Sequence, residues 1–127
     1  MGNMVSLWLG NFETENDLLE YTGESYTEDG DWISSTFCKE FFEDEEPYET
    51  DFLERYSVGN PSADIRFLLE GCSYDESVIQ SLISEVGEEL NKEYNSVILI
   101  FDFAVESAIK QIRGQVDYIA TVPYQKI

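Results

Sequence analysis

Histidine is absent from the chain, and basic residues are scarce. The 127 residues include seven Lys and Arg against 27 Asp and Glu, which gives a formal net charge of −20. Without histidine the commonest general base is missing, as are the Ser-His and Cys-His arrangements that activate nucleophiles. Because nucleic acid is held largely by Lys and Arg on its phosphates, this composition argues against direct nucleic-acid binding, and an anionic membrane surface would repel the chain.

Cysteine pairs and long apolar runs are also missing. Cys38 and Cys72 lie in separate segments at no metal-binding or redox spacing, so we expect two buried thiols in a reducing cytoplasm. No apolar stretch approaches the roughly 20 residues of a membrane-spanning helix. The first residues lack the basic region and the longer apolar run of a signal peptide. These absences predict a cytoplasmic protein.

Motifs for cofactors and metals are missing as well. The sequence has no P-loop, no Gly-rich dinucleotide loop and no Cys/His cluster. The string Asp29-Gly30-Asp31 fails as a calcium loop, because Trp32-Ile33 and Ser34-Ser35 occupy positions where further ligands would follow. Adventitious weak cation binding is left open. We therefore expect no cofactor, no metal and no enzymatic activity.

What the chain has in excess is negative charge, concentrated in one stretch. Sixteen of the acidic residues fall between Glu13 and Glu54, where the only basic residue is Lys39. Such self-repulsion destabilises a compact state. It is explained either by a solvated acidic surface with no particular partner or by a positively charged macromolecule that the surface binds. A content of 43% hydrophobic and 14% aromatic residues indicates that the charge decorates a folded domain.

The N-terminal third predicts a strand followed by capped helices. The apolar run from Met4 to Leu9 suits a buried strand. Thr14 stands as the N-cap of a helix that Gly23 ends, and Ser34 or Ser35 begins a second helix. Between these helices we expect a polar, acidic loop.

Helices are also predicted in the middle of the chain. Aromatic spacing favours a helix from Tyr48 to Tyr56, and Asn60-Pro61-Ser62 is typical of the start of another, which Gly71 would end. The string Ser73-Tyr74-Asp75-Glu76 reads as a capping box, and the apolar face behind it predicts a helix to about Asn91.

The C-terminal third predicts two strands. The apolar run that starts at Asn95 suits a strand buried on both faces, and Val116 to Val122 suggests a last strand that Pro123 stops. The connection from Val105 to Arg113 fits either helix or strand. The length predicts one domain over residues 1–127. The fold class is α+β or α/β, a small sheet of about three to four strands with several helices packed on it as a single pair of layers.

Aromatic residues inside the acidic stretch are candidates for partner contacts. Exposed aromatic side chains ringed by charge have the composition of binding hot spots. Trp32 lies in a predicted acidic loop, where it either anchors the loop against the core or contacts a partner. The residues expected to bind a partner are Tyr26, Asp29, Asp31, Trp32, Glu40, Glu43, Asp44, Glu45, Glu46, Tyr48, Glu49 and Asp51.

Several segments resemble the immunity protein 22 family. They are the opening Val5-Ser6-Leu7-Trp8-Leu9-Gly10-Asn11-Phe12, the loop through Asp29-Gly30-Asp31, the string Leu69-Glu70-Gly71-Cys72-Ser73-Tyr74, and the strand Asn95-Ser96-Val97-Ile98-Leu99-Ile100-Phe101. The resemblance covers essentially the whole chain and is poorest from Val105 to Gln115. It implies a small bacterial cytoplasmic protein of a polymorphic toxin system. No catalytic motif is carried by these segments.

Charge and resemblance together predict a toxin inhibitor. Toxins that cleave nucleic acid need basic surfaces, which an acidic patch complements. We therefore expect a cognate, basic, nuclease-type toxin as partner, its active site or substrate groove blocked, with the inhibitor a monomer or weak homodimer. Two alternatives stay open: a DNA mimic that inhibits a DNA-binding protein, and a small carboxylate-dependent hydrolase.

Overall fold

A four-stranded antiparallel sheet lies at the centre of the fold. The computed structural model describes residues 3–23, 25–42, 47–105 and 115–125. Strand β1 (Asn3–Gly10) lies between β5 (Glu89–Phe101) and β6 (Val116–Tyr124), and β4 (Leu53–Asp64) pairs with the outer side of β5. The strand order is therefore β4-β5-β1-β6, within the predicted range of three to four strands.

Helices and a small hairpin fill the connections. The helices are α1 (Glu15–Thr22), α2 (Thr36–Phe41), α3 (Ile65–Leu69) and α4 (Asp75–Val86), and a 3₁₀ turn covers Thr50–Phe52. A separate two-stranded sheet, formed by β2 (Ser25–Tyr26) and β3 (Trp32–Ile33), lies between α1 and α2 in the chain. Within the described ranges, no helix has the length and apolarity needed to cross a membrane.

Both faces of the sheet are covered, so the single pair of layers that we expected is wrong. Alternate residues of β1 point to opposite faces: Leu7 and Leu9 join the cluster of α3 and α4, whereas Trp8 joins the cluster of α1 and α2. Trp8 is fully buried and meets Phe37 edge-to-face at 5.0 Å between ring centroids. The three layers also explain the continuous apolar run of β5, which has no solvent face at its centre.

The predicted strand and helix starts in the N-terminal third are confirmed. The Thr14 side chain accepts a hydrogen bond from the backbone N–H of Asp17 at 3.1 Å, and Gly23 ends α1. Ser35, one of the two predicted starts of α2, accepts from the N–H of Cys38 at 3.0 Å. These local signals work because each cap satisfies an N–H group that the helix itself cannot.

The helix predicted from Tyr48 to Tyr56 is wrong. Only Thr50–Phe52 is helical, as a 3₁₀ turn, and β4 begins at Leu53. Leu53 lies opposite Ile100 of β5, so pairing with the sheet overrides the helix-like spacing of the aromatic residues. Tertiary pairing of this kind is invisible to a local pattern.

Helix α3 starts later than we predicted. Pro61 and Ser62 lie within β4, and Asp64 caps the helix by accepting from the N–H of Arg66 at 3.0 Å. Pro61 is tolerated because β4 is an edge strand, where a missing N–H need not interrupt the ladder.

The capping box predicted for α4 is wrong, and so is the predicted end of that helix. Tyr74 is the N-cap in a left-handed conformation with φ 56°, and the Ser73 side chain bonds the Glu54 carboxylate instead. Gly87, at φ 92°, ends α4, and β5 starts at Glu89 rather than at Asn95.

Strand β6 runs through the residue expected to stop it. Pro123 pairs with Met4, which an edge strand permits. The register between β1 and β6 shifts after Leu7, whose partner is Ala120 while Trp8 pairs with Tyr118. Ile119 is therefore the extra residue of a β-bulge. As a result, Ala120 packs in the cluster of α3 and α4, whereas Tyr118 packs in the cluster of α1 and α2. Residues 106–114, most of the ambiguous connection, lie outside the described residues.

Candidate protein-binding surface

The β2–β3 hairpin has a turn that its own hydrogen bonds define. The N–H of Thr27 donates to the carbonyl of Asp31 at 2.9 Å, and the N–H of Gly30 donates to the carbonyl of Thr27 at 2.9 Å. The N–H of Asp31 donates to the Thr27 hydroxyl at 3.0 Å. Gly30 takes φ 91°, a left-handed value that glycine adopts without steric cost. The polar, acidic loop expected between the two helices is thus a short hairpin, with Asp29 and Gly30 at its tip.

Two aromatic side chains form an exposed ridge on this hairpin. Tyr26 and Trp32 are direct cross-strand partners, so their side chains lie on the same face of the ribbon. Tyr26 is 62% exposed and Trp32 is 41% exposed. Large aromatic residues with this exposure are suited to insertion into a partner. Part of the Trp32 surface is therefore accessible to a partner, so the side chain does more than anchor the loop against the core.

Carboxylates surround the aromatic ridge. Glu28, Asp29 and Asp31 are exposed in the turn, and the nearest basic residue along the chain is Lys39. We call residues 25–33 the acidic hairpin. Because like charges in one small region add their potentials, the ridge lies in a locally negative field.

The acidic hairpin connects α1 to α2 in the chain, and these two helices contact each other. Tyr21 of α1 donates its hydroxyl hydrogen bond to Glu40 of α2 at 2.6 Å, and its ring lies 6.0 Å from the ring of Phe37. Ser34 and Ser35, which follow β3, are buried. Glu40, one of the predicted contact residues, thus links α2 to α1 and is half-buried.

The other predicted contact residues lie outside the acidic hairpin. Tyr48 is in the core: its hydroxyl lies 3.2 Å from the Cys38 sulfur and its ring packs near Phe37, Phe42 and Phe103, which leaves little surface for a partner. Glu49 is exposed just before the 3₁₀ turn, and Asp51 is exposed within it. The remaining four, Glu43, Asp44, Glu45 and Glu46, are outside the described residues.

Titratable groups in the core are tied into structural contacts. Asp117 is buried and accepts hydrogen bonds from the Tyr94 hydroxyl at 2.7 Å and the Lys92 ammonium at 3.2 Å. Burial, followed by the bond to Asp117, raises the pKa of Tyr94. These charge-assisted bonds satisfy the buried carboxylate. Nothing in the sequence pattern distinguished Asp117 from the surface carboxylates.

Both cysteines are free and buried, as predicted. Burial, and then the negative charges of Glu54 and Asp75, raises the pKa of the Cys72 thiol to about 12. Because the thiolate is the reactive form, Cys72 is a poor nucleophile at neutral pH. No group of three or more His, Cys, Asp or Glu residues placed to hold a metal ion occurs in the part of the chain that the structure describes.

Sequence reasoning missed a second pair of exposed aromatic residues. Phe52 is 44% exposed and Tyr74 is 41% exposed, and both line a cleft with Asp51 and Asp102. The sequence pattern places Phe52 within the helix predicted from Tyr48 to Tyr56 and Tyr74 in a capping box. The backbone of Tyr74 is left-handed, which is incompatible with the predicted capping box. Nothing in the sequence pattern indicates this conformation.

Comparison with known proteins gives one match. The sequence model of the family described as Immunity protein 22 matches residues 5–125. Comparisons with curated proteins and with solved structures found no match. The matched range includes the acidic hairpin and the four helices, and it spans nearly all of the four-stranded sheet.

Proposed function

Because the chain belongs to the Immunity protein 22 family, we propose that it neutralises a basic, nuclease-type toxin by binding it through the acidic hairpin. Family membership supports a toxin-neutralising role in general. The observation that carries the finer proposal is the exposed Tyr26–Trp32 pair, set among three exposed carboxylates of the same hairpin. The toxin's active site or substrate groove is then covered.

Electrostatics supports a basic partner. A nuclease holds phosphates with Lys and Arg, so its substrate groove carries a positive potential. A chain with a net charge of −20 is attracted to that groove, and complementary potentials raise the association rate constant by 10-fold or more at low salt. The same charge opposes self-association, which supports binding as a monomer.

The aromatic pair supplies the lasting part of the interaction. Tyr and Trp are enriched among residues that cost about 2 kcal/mol or more when truncated in an interface. Most differences in affinity between related complexes arise from the dissociation rate constant. We therefore assign fast association to the carboxylates and slow dissociation to Tyr26 and Trp32. No chemistry by the inhibitor is needed, in keeping with a family of inhibitors rather than enzymes.

Co-expression with the toxin domain encoded beside this gene tests the proposal. The wild-type chain should protect the host cell and form a one-to-one complex with an active-site variant of the toxin. The double variant Tyr26→Ala/Trp32→Ala should bind about 1,000-fold more weakly, as expected if each of the two truncations costs about 2 kcal/mol. Phe67→Ala is the matched control, because Phe67 is a 48% exposed aromatic residue on α3, which packs on the other face of the sheet.

Three results would contradict the proposal. The double variant could bind as tightly as wild type, which would remove the hairpin from the interface. The chain could protect the cell without binding the toxin, or bind it without protecting. Either of the last two results would favour a DNA mimic that acts on a different, DNA-binding partner.

A further inference from the structure

An open cleft with aromatic walls lies where β4 begins and β5 ends. Two neighbouring hollows of about 170 Å³ and 270 Å³ share the lining residues Phe52, Phe101 and Asp102, and we treat them together as one depression. None of the residues that line them belongs to the acidic hairpin. We call this depression the β4–β5 cleft. It is a second exposed surface in which aromatic and acidic groups meet.

Three rings in mutual contact, two of the pairs edge-to-face and one tilted, build one wall of the cleft. The ring centroids of Phe101 and Tyr124 are 5.2 Å apart, and Tyr74 lies 5.5 Å from Tyr124 and 6.0 Å from Phe101. Phe101 and Tyr124 are buried, whereas Tyr74 keeps 41% of its surface exposed, and Phe52 keeps 44%. The buried rings hold the wall in place, and the exposed ones offer aromatic surface to an incoming group.

Carboxylates are fixed along the same wall. Asp102 accepts a hydrogen bond from the Tyr124 hydroxyl at 2.7 Å through one oxygen. Glu54 accepts from the N–H of Ser73 at 3.3 Å and from the Ser73 hydroxyl. Asp51 is exposed at the rim. These contacts orient the carboxylates of Asp102 and Glu54 along the wall.

The charged side chains that line the cleft are all carboxylates, among the residues that the structure describes. Neither hollow is lined by a Lys or an Arg, within the residues that the structure describes. The Tyr124 hydroxyl is protonated at neutral pH, as an ordinary tyrosine is, and donates to Asp102. Burial, followed by the bond to Asp102 and the charge of that carboxylate, raises the pKa of Tyr124 further. Negative charge next to aromatic faces selects a cation over an anion or a neutral group.

We propose that the β4–β5 cleft binds an arginine side chain of the toxin, as a second contact beside the acidic hairpin. The proposal rests on the proposed function for the identity of the partner. Arginine matches the cleft because its planar guanidinium stacks on aromatic rings and donates in a fork to carboxylates, whereas the lysine ammonium does neither as well. A second copy of this chain is a poor occupant, because its net charge is also −20.

The chemistry of the cleft is tested with a small probe. N-acetyl-L-arginine amide is titrated into the ¹⁵N-labelled protein, and the backbone amide shifts are followed by NMR. We expect saturable shifts at Tyr74, Phe101 and Asp102 with a millimolar dissociation constant that rises with salt. The neutral isostere N-acetyl-L-citrulline amide is the control ligand and should bind at least 10-fold more weakly. Equal binding of the two probes, or shifts spread over the whole surface, would overturn the proposal.

The variant Asp51→Asn/Asp102→Asn links the cleft to the toxin. Asn keeps the shape of Asp and tolerates the left-handed backbone at position 102, so the fold is retained and only charge is lost. Because two of the carboxylate charges that line the cleft are lost, we expect about 10-fold weaker arginine binding and about 10-fold weaker toxin binding. The matched control Asp29→Asn/Asp31→Asn removes the same charge from the acidic hairpin and should leave binding of the arginine probe unchanged.

The outcomes separate this proposal from the proposed function. If the cleft variant loses the arginine probe but binds the toxin as wild type does, the cleft is not a toxin contact, and the hairpin assignment is unaffected. If the cleft variant loses toxin binding and the hairpin variants do not, the cleft proposal holds and the hairpin assignment fails. Self-association that competes with the arginine probe would assign the cleft to a second copy and overturn the proposal.

Discussion

Tyr56 shows how single side chains connect the sheet to the helices. Its hydroxyl donates a hydrogen bond to the carbonyl of Leu68 in α3 at 2.8 Å. Burial, and then the nearby Cys72, Glu54 and Asp75, raises the pKa of Tyr56 above its ordinary value of 10.0. The same two carboxylates raise the pKa of the Cys72 thiol after burial does so. The Tyr56 hydroxyl and the Cys72 thiol therefore both lie beside negative charge that opposes their ionisation.

This arrangement predicts a loss of stability in alkali. A group whose pKa is higher in the folded state stabilises the fold below its unfolded pKa, and that contribution disappears as the pH rises toward the folded value. We expect the free energy of unfolding to fall above pH ~9, as the Cys72 and then the Tyr56 side chain of the unfolded chain begin to ionise. Denaturant unfolding at a series of pH values measures this fall.

Tyr56→Phe isolates the contribution of one group. Losing the bond to Leu68 should cost about 1 kcal/mol at neutral pH. Between pH ~10 and ~12 the slope of stability against pH should be shallower than in wild type, by up to about 1.4 kcal/mol per pH unit. An unchanged slope would show that Tyr56 ionises equally easily in both states.

At the scale of elements, the acidic hairpin depends on the conformation of one glycine. A two-stranded hairpin is marginally stable by itself. Gly30 takes φ 91°, and a Cβ added there would meet nothing within 4 Å, so any cost of substitution is conformational rather than steric. The turn therefore offers a way to weaken the hairpin without touching the core.

We expect Gly30→Ala to loosen the hairpin locally. A left-handed alanine costs about 1 kcal/mol, so the amides of Thr27 and Asp31, both bonded within the hairpin, should exchange with solvent about 5-fold faster. Gly59→Ala is the matched control, because Gly59 has φ 87° and equally open surroundings but lies in β4. Hydrogen exchange followed by NMR makes the comparison. Equal exchange of the hairpin amides in both variants would contradict this account of the turn.

How much of these elements the sequence predicts depends on where the deciding contacts lie. The caps Thr14 and Ser35 act on N–H groups three residues away, and both were predicted. Strand β4 was mistaken for helices because its pairing partner, β5, lies some 40 residues further along the chain and decides its conformation. Contacts at that separation leave no periodic signal in β4 itself.

The candidate surfaces divide in the same way. Tyr26 and Trp32 were singled out because the residues around them are acidic, but their cross-strand pairing appears only in the structure. Tyr48 has similar neighbours in the sequence and lies in the core. The β4–β5 cleft was missed because it joins residues of β4, β5 and β6 that are far apart in sequence. Charge patterns thus locate an acidic region without telling its buried rings from its exposed ones.

For the whole molecule, the fold separates the apolar scaffold from the acidic region. The central strands β1 and β5 contribute residues to both hydrophobic clusters. The acidic stretch from Glu13 to Glu54 starts just after β1 and ends at the beginning of β4. Those carboxylates of the stretch that the structure describes lie in helices, turns and loops or at the start of β4, so their mutual repulsion acts outside the centre of the sheet. We propose that this repulsion is retained because a basic partner relieves it.

The association rate constant between this chain and an inactive variant of its toxin, measured by stopped flow against salt, tests the central claim most directly. We expect it to fall about 10-fold or more between low and high salt, as electrostatic steering requires. Changing Glu43, Asp44, Glu45 and Glu46 to Lys should slow association at low salt. The same change at the exposed Glu76, Glu85, Glu88 and Glu89, outside the acidic stretch, should slow it less. A rate constant indifferent to salt and to both sets of changes would contradict the account.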